Sequence, residues 1–181
     1  MAADLQLLRR YAETRANDAF AAVVEQHVSL VYSAALRQLG GAVHRAEEVT
    51  QSVFIDLARQ AANVARRDDM VGWLYTSTHY AAAKLKRTEA RRQLREQEAH
   101  TMHEISSGAS ESADWEQLHP VLDEAMHELD GRDRQAILLR FFKDERFAEV
   151  GRRLGLSEDA ARMRVERALD KLHALLAKSG I

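Results

Sequence analysis

The sequence predicts an all-α protein made of two small helical domains joined by an acidic flexible linker. Three observations carry that expectation. One Pro and eight Gly among abundant Ala, Leu, Arg, Glu and Gln leave few helix breakers and few hairpin signals in 181 residues. Apolar residues recur at three-to-four spacing through several long segments. Between Arg95 and Arg132 there is no Lys or Arg, while Glu96, Glu98, Glu104, Glu111, Asp114 and Glu116 fall there around the small polar stretch 105–113. The domains are therefore placed at 10–97 and 116–178, with the linker at 98–115.

Each element has its own justification. A first helix is expected from about Asp18, a plausible N-cap, with Phe20, Val23, Val24, Leu30, Val31 and Ala34 along one stripe and Gly40 and Gly41 ending it. A second, from about Arg45 to Ala65, sets Val49, Val53, Phe54 and Leu57 on one face and Glu47, Glu48, Gln51 and Ser52 on another. The third, from about Val71 to Glu98, begins apolar and ends basic. After the linker come a helix from about Trp115 to Leu129, a break at Asp130 and Gly131, and three further helical stretches ending near Lys178.

Composition excludes several classes. With no cysteine there is neither a disulfide framework nor a thiolate metal site, and a reducing cytoplasm is the natural compartment. The eight His are scattered without a metal-ligand spacing, so no metal or other cofactor is expected. The N-terminus lacks a signal-peptide core, and no stretch reads as apolar enough to cross a bilayer, so no membrane partner is expected. No glycine-rich phosphate loop or nucleophile motif suggests an enzyme. A net charge of -2 argues against a protein that simply coats nucleic acid.

The sharpest local signal is 146–171, where a short helix with Phe147, Val150 and Leu154 inward meets a turn at Gly155, and Ser157 caps a second helix. This is a helix-turn-helix pattern. Ala161, Val165, Ala168, Leu169 and Leu172 should face the core, leaving Arg162, Met163, Glu166 and Arg167 outward, where arginines can grip phosphates or guanine edges. In the third helix, Trp73, Tyr75 and Tyr80 precede Lys84, Lys86, Arg87, Arg91, Arg92 and Arg95. Aromatic faces stack on unpaired bases and basic residues track phosphates, a combination suited to single-stranded DNA, although Trp73 and Leu74 are expected in the core.

Taken together, these residues resemble the extracytoplasmic-function (ECF) group of the sigma-70 family. The string with Ala46, Glu47, Glu48, Gln51 and Phe54 is similar to the group's most characteristic one. Leu129, Arg134, Leu139, Arg140 and Phe141 fit the helix that leads into the family's helix-turn-helix, and 154–172 resembles its promoter-reading helix. The resemblance implies a sigma factor that binds core RNA polymerase and directs it to promoter DNA. Glu47, Glu48 and Gln51 would dock on the clamp helices of the largest subunit. His79, Tyr80, Lys84, Arg87 and Arg91 would meet the minus-10 element, and Arg162, Met163, Arg164, Glu166 and Arg167 the minus-35 element about two helical turns away.

Ser52 stands where the family often has Glu, which implies one acidic docking contact fewer, and Tyr80, Met163 and Glu166 also depart from the family's usual residues, so the bases read should differ. Thr50 and Ser52 are candidate phosphorylation sites for a regulatory kinase, and an anti-sigma factor is the other controller the resemblance implies. An acidic tether near two basic surfaces favours compact forms in which the domains mask the DNA-reading helices. The alternative is a free-standing helix-turn-helix regulator that acts without polymerase.

Overall fold

A computed structural model describes residues 3–67, 69–99 and 113–179, without the side chains of 93, 94, 96–99 and 113–120. Among the described residues there are helices and no strands. The N-terminal unit comprises α1 (Ala3–Thr14), α2 (Asn17–Gln38), α3 (Val43–Val64) and α4 (Met70–Ala99). The C-terminal unit comprises α5 (Ala113–Glu128), α6 (Gly131–Ile137), α7 (Phe147–Leu154) and α8 (Glu158–Lys178). Most of the expected linker lies outside the described residues.

Helix α1 was not among the expected elements, and it extends the N-terminal core ahead of residue 10. Its Leu5 and Leu8 are buried among Val23, Val53, Leu57 and Leu74. Each such side chain contributes about 1.5–3 kcal/mol by leaving water. The start of α2 also differs from expectation: Ala16 occupies the N-cap without a side-chain bond, and Asp18 sits in the first turn, 2.9 Å from Arg10. By length and composition α2 is apolar enough to cross a membrane, contrary to the sequence reading. Here it is the central helix of the bundle, with Val23, Leu30, Val31, Ala34 and Ala35 buried. Gly40 and Gly41, both at positive φ, end it as expected.

In the C-terminal unit Asp130 caps α6 by accepting from the amides of Arg132 and Asp133, and backbone bonding together with Lys171 holds its carboxyl at about 2. Helix α6 runs into a π-helical stretch, Leu138–Phe142, closed by the Lys143 amide donating to the Leu138 carbonyl at 3.0 Å. The widened turn keeps Leu138 and Leu139 buried while Phe141 stays exposed.

The two units pack against each other. Leu30, Ala34, Val71 and Tyr75 share one apolar cluster with Ala125, Met126, Leu129, Leu138 and Leu139. The contact is thus built on apolar surface from both units.

Candidate nucleic-acid interface

Three surfaces hold the residues singled out in the sequence, and the contact between the units touches one of them. On α3, Ala46, Val49, Val53 and Leu57 turn inward and leave Glu47, Glu48, Gln51 and Ser52 exposed along the opposite face. Beside them an open groove of ≈ 660 Å³ is lined by Phe20, Val28, Tyr32, Gln51, Phe54 and Ile55. Val28 and Ile55 remain partly in solvent. Acid and amide groups at the rim of an apolar groove form a surface suited to an amphipathic helical partner. Thr50 lines the floor of this groove, but its hydroxyl is buried and donates to the Ala46 carbonyl at 2.7 Å. A kinase could not reach it in the folded helix, so of the two candidate phosphorylation sites only Ser52 is on the surface.

On α4, Tyr80, Lys84, Arg87 and Arg91 are exposed and His79 is half-buried. Trp73 is partly buried against the core and Leu74 is fully inside, as expected. Tyr75 corrects the aromatic reading. It is wholly buried between the units, its hydroxyl donating to the Asp123 carboxylate, so it cannot stack on a base in this arrangement. Burial and that carboxylate push the Tyr75 hydroxyl far above the ordinary tyrosine range. The His127 ring of α5 stacks on His79 with centroids 4.4 Å apart and meets Tyr80 edge-on at 5.4 Å. Burial, and then the charge of His79, lower the pKa of His127.

The helix-turn-helix forms as the sequence dictates. Gly155 adopts the left-handed conformation at φ 67°, and Ser157 accepts from the Ala160 amide at 3.2 Å. Gly151 is the less obvious requirement. A Cβ there would lie 2.7 Å from the Leu156 carbonyl oxygen, so only glycine lets α7 approach the turn so closely. On α8, Arg162, Met163, Glu166 and Arg167 are exposed. Arg162 lies 5.3 Å over the Phe147 ring, and Arg167 donates to the Met163 carbonyl at 3.1 Å. Arg164 is turned instead toward α6, donating to Asp133 at 2.9 Å. Leu169, expected in the core, is 38% exposed, because the neighbouring Ala168 and Leu172 already fill that contact. The packing of the units leaves this face of α8 open, contrary to the expectation that closure masks both DNA-reading surfaces.

Sequence reasoning missed the polar links between the units. Asp4 of α1 is buried 3.0 Å from Arg153 of α7 and 3.2 Å from His27 of α2. Burial raises its pKa, but the contacts with His27 and Arg153 outweigh that and hold the carboxyl well below the usual carboxylate range. His27 is pushed down by burial and by the charges of Lys143 and Arg153, against the opposing pull of Asp4. Lys143 donates to the Gln26 carbonyl, and Arg153 also pairs with Glu145 at 2.9 Å. Farther along, Arg134 donates to Thr76 at 2.9 Å, and Arg37 reaches toward Asp123 at 3.8 Å. No spacing rule connects residues 58 to 149 positions apart, and this is why these links left no local signal.

Comparison with known proteins points to one family. Residues 23–92 match the family model described as "Sigma-70 region 2", and residues 125–174 match "Sigma-70, region 4". The chain is 29% identical over 168 residues to the RNA polymerase sigma factor CarQ of Myxococcus xanthus, covering 90% of this chain and 92% of that protein. It is 28% identical over 179 residues to the ECF RNA polymerase sigma factor SigK of Mycobacterium ulcerans, covering 97% and 95%. Among solved structures, CnrH in complex with the cytosolic domain of CnrY is similar at a TM-score of 0.45 and 21% identity, over 98% of this chain and 99% of that one.

Proposed function

Because the chain belongs to the sigma-70 family, as a member of its ECF group that directs RNA polymerase in transcription initiation, we propose that its two units divide that work between polymerase docking and promoter reading. The protein catalyses no reaction itself. Glu47, Glu48 and Gln51 dock on the clamp helices of the largest polymerase subunit, whose apolar side chains enter the groove beside them. His79, Tyr80, Lys84, Arg87 and Arg91 meet the melted minus-10 strand, and Arg162, Met163, Glu166 and Arg167 meet the minus-35 duplex. Arg164 supports α8 from behind through Asp133. The working compartment is the cytoplasm, where polymerase and promoter are found. The single observation that carries this reading is the exposed acidic and amide face of α3 beside an apolar groove, on a different unit from the exposed basic face of α8.

Closure and promoter engagement are mutually exclusive on this reading. Two helical turns of DNA span about 70 Å. A compact chain of this length is only about 40 Å across. The units must separate before both elements are held, and separation also frees His79 and Tyr80 from His127.

The test is run-off transcription from a fragmented host genomic library with purified core polymerase, with and without the protein. Defined starts should appear only with it and should vanish in Glu47→Arg/Glu48→Arg. If the protein bound duplex DNA alone and polymerase gained no new starts, the free-standing regulator would replace this account.

A further inference from the structure

The outward side of α8 carries carboxylates that electrostatics disfavours against DNA, and Glu166 is the central one. It is exposed between Arg162 and Met163 one turn before it and Asp170 one turn after it, beside Arg167, and the described residues give its carboxylate no ion-pair partner. Arg162, one helical turn earlier, is engaged by Phe147 and lies 4.0 Å from Glu158, while Arg167 is tied to the Met163 carbonyl. Against a duplex, a free carboxylate is repelled by phosphates unless a base edge offers it a donor.

The major groove offers few such donors. Guanine presents N7 and O6, and thymine presents O4 and a methyl group, so both repel or fail to bond a carboxylate. Adenine has the N6 amino group, but its N7 acceptor lies within reach of the second carboxylate oxygen. Cytosine presents the N4 amino group and has no acceptor of its own in the groove. We propose that Glu166 selects a cytosine in the upstream promoter element and that Met163, on the same face one turn earlier, selects a thymine by contact with its methyl group.

The spacing supports one continuous reading surface. Three residues of α-helix rise about 4.5 Å, close to the roughly 3.4 Å between base pairs, so the two contacts fall on neighbouring or next-neighbouring pairs. The guanine paired with that cytosine presents O6 and N7 beside it, where Arg162 or Arg167 can donate. An exposed methionine, 56% accessible, supplies the apolar contact that a thymine methyl group needs and a polar side chain does not. This inference rests on the assignment of α8 to the upstream element.

The experiment is in vitro transcription by the reconstituted holoenzyme from a promoter library randomised through its upstream element, with transcribed sequences read out. The wild-type protein should prefer cytosine by about tenfold at one position and thymine at a position one or two steps away. Glu166→Gln should move the first preference from cytosine to adenine, because an amide both donates to N7 and accepts from N6, and should leave the thymine position unchanged. Met163→Ala should lose the thymine preference alone. Arg162→Ala and Arg167→Ala report on the underlying assignment. If they alter upstream selection while Glu166→Gln selects the same bases as wild type, the cytosine assignment is overturned and α8 is still the reader. If none of the four variants changes selection at any upstream position, α8 does not read that element and both readings fall.

Discussion

At Asp4 a carboxylate stays ionised in near-complete burial because Arg153 and His27 close around it. Removing one member of such a cluster leaves the others desolvated without compensation, which costs more than the intact cluster contributes. Asp4→Asn should therefore destabilise the protein by about 3 kcal/mol in urea unfolding at neutral pH. Because the folded protein holds the Asp4 pKa below its ordinary value of 3.8, the ionised group stabilises the fold above that pH. The contribution disappears as the pH falls from there through the depressed folded value, and in the Asn variant the acid limb of the stability profile should be flatter. Thr50 and Ser52 give a second contrast between neighbours. Thr50→Asp forces a charge into the packed side of α3 and should lower the melting temperature by several degrees, whereas Ser52→Asp should leave it nearly unchanged. Their sequence environment does not separate them. Periodicity identifies a buried face but assigns a residue at its edge only weakly, and Thr50, Tyr75 and Leu169 are all such edge positions.

At the scale of elements, most of the fold was legible. The helices now seen as α2, α3 and α4, the break at Asp130 and the helix-turn-helix each left a stripe, a cap or a glycine in the sequence. Helix α1 did not stand out because it is only 12 residues long and its buried Leu5 and Leu8 alone do not define a stripe. The π-helical stretch was equally silent, since one residue more in a turn leaves composition and spacing almost unchanged. The exposed acidic and amide face of α3 and the outward face of α8 were legible down to individual residues, with Arg164 as the exception. The turn between α7 and α8 gives a direct check on the packing described for it. Gly151→Ala should cost about 1–3 kcal/mol through contact with the Leu156 carbonyl. Gly155→Ala should cost about 1–2 kcal/mol through its left-handed backbone, although a Cβ there meets no atom within 4 Å. Thermal unfolding of both variants distinguishes a steric requirement from a conformational one.

At the scale of the whole molecule, the association of the two units could not be read from the sequence, because it depends on which surfaces match after each has folded. An apolar contact with buried polar links behaves differently from one held by a charged tether. Screening acts weakly on buried pairs, so small-angle scattering should give a compact size that hardly changes between low and high salt. Acid should act instead. His27 faces Asp4 on its own unit and Lys143 and Arg153 from the other, where Arg153 is paired with Glu145, and its pKa in the closed form lies below the ordinary 6.5. The neutral ring therefore favours closure above about that pH, and closure weakens as the pH falls through the lowered value. Opening removes Lys143 and Arg153 from beside the ring and lets it take up a proton. The radius of gyration should rise between pH 7.5 and 5.5 by scattering, and His27→Gln should flatten that rise.

The bridge from Asp4 to Arg153 joins positions 149 apart in the chain. During synthesis the N-terminal unit leaves the ribosome complete while α7 is still untranslated, and at about 5–20 residues per second that interval lasts several seconds. Until α7 emerges, nothing can hold Asp4 from the far side. Every newly made molecule thus begins life with Asp4 and Tyr75 uncovered. A polymerase close to the translating ribosome would meet the protein in that state first, before the closed form exists to compete.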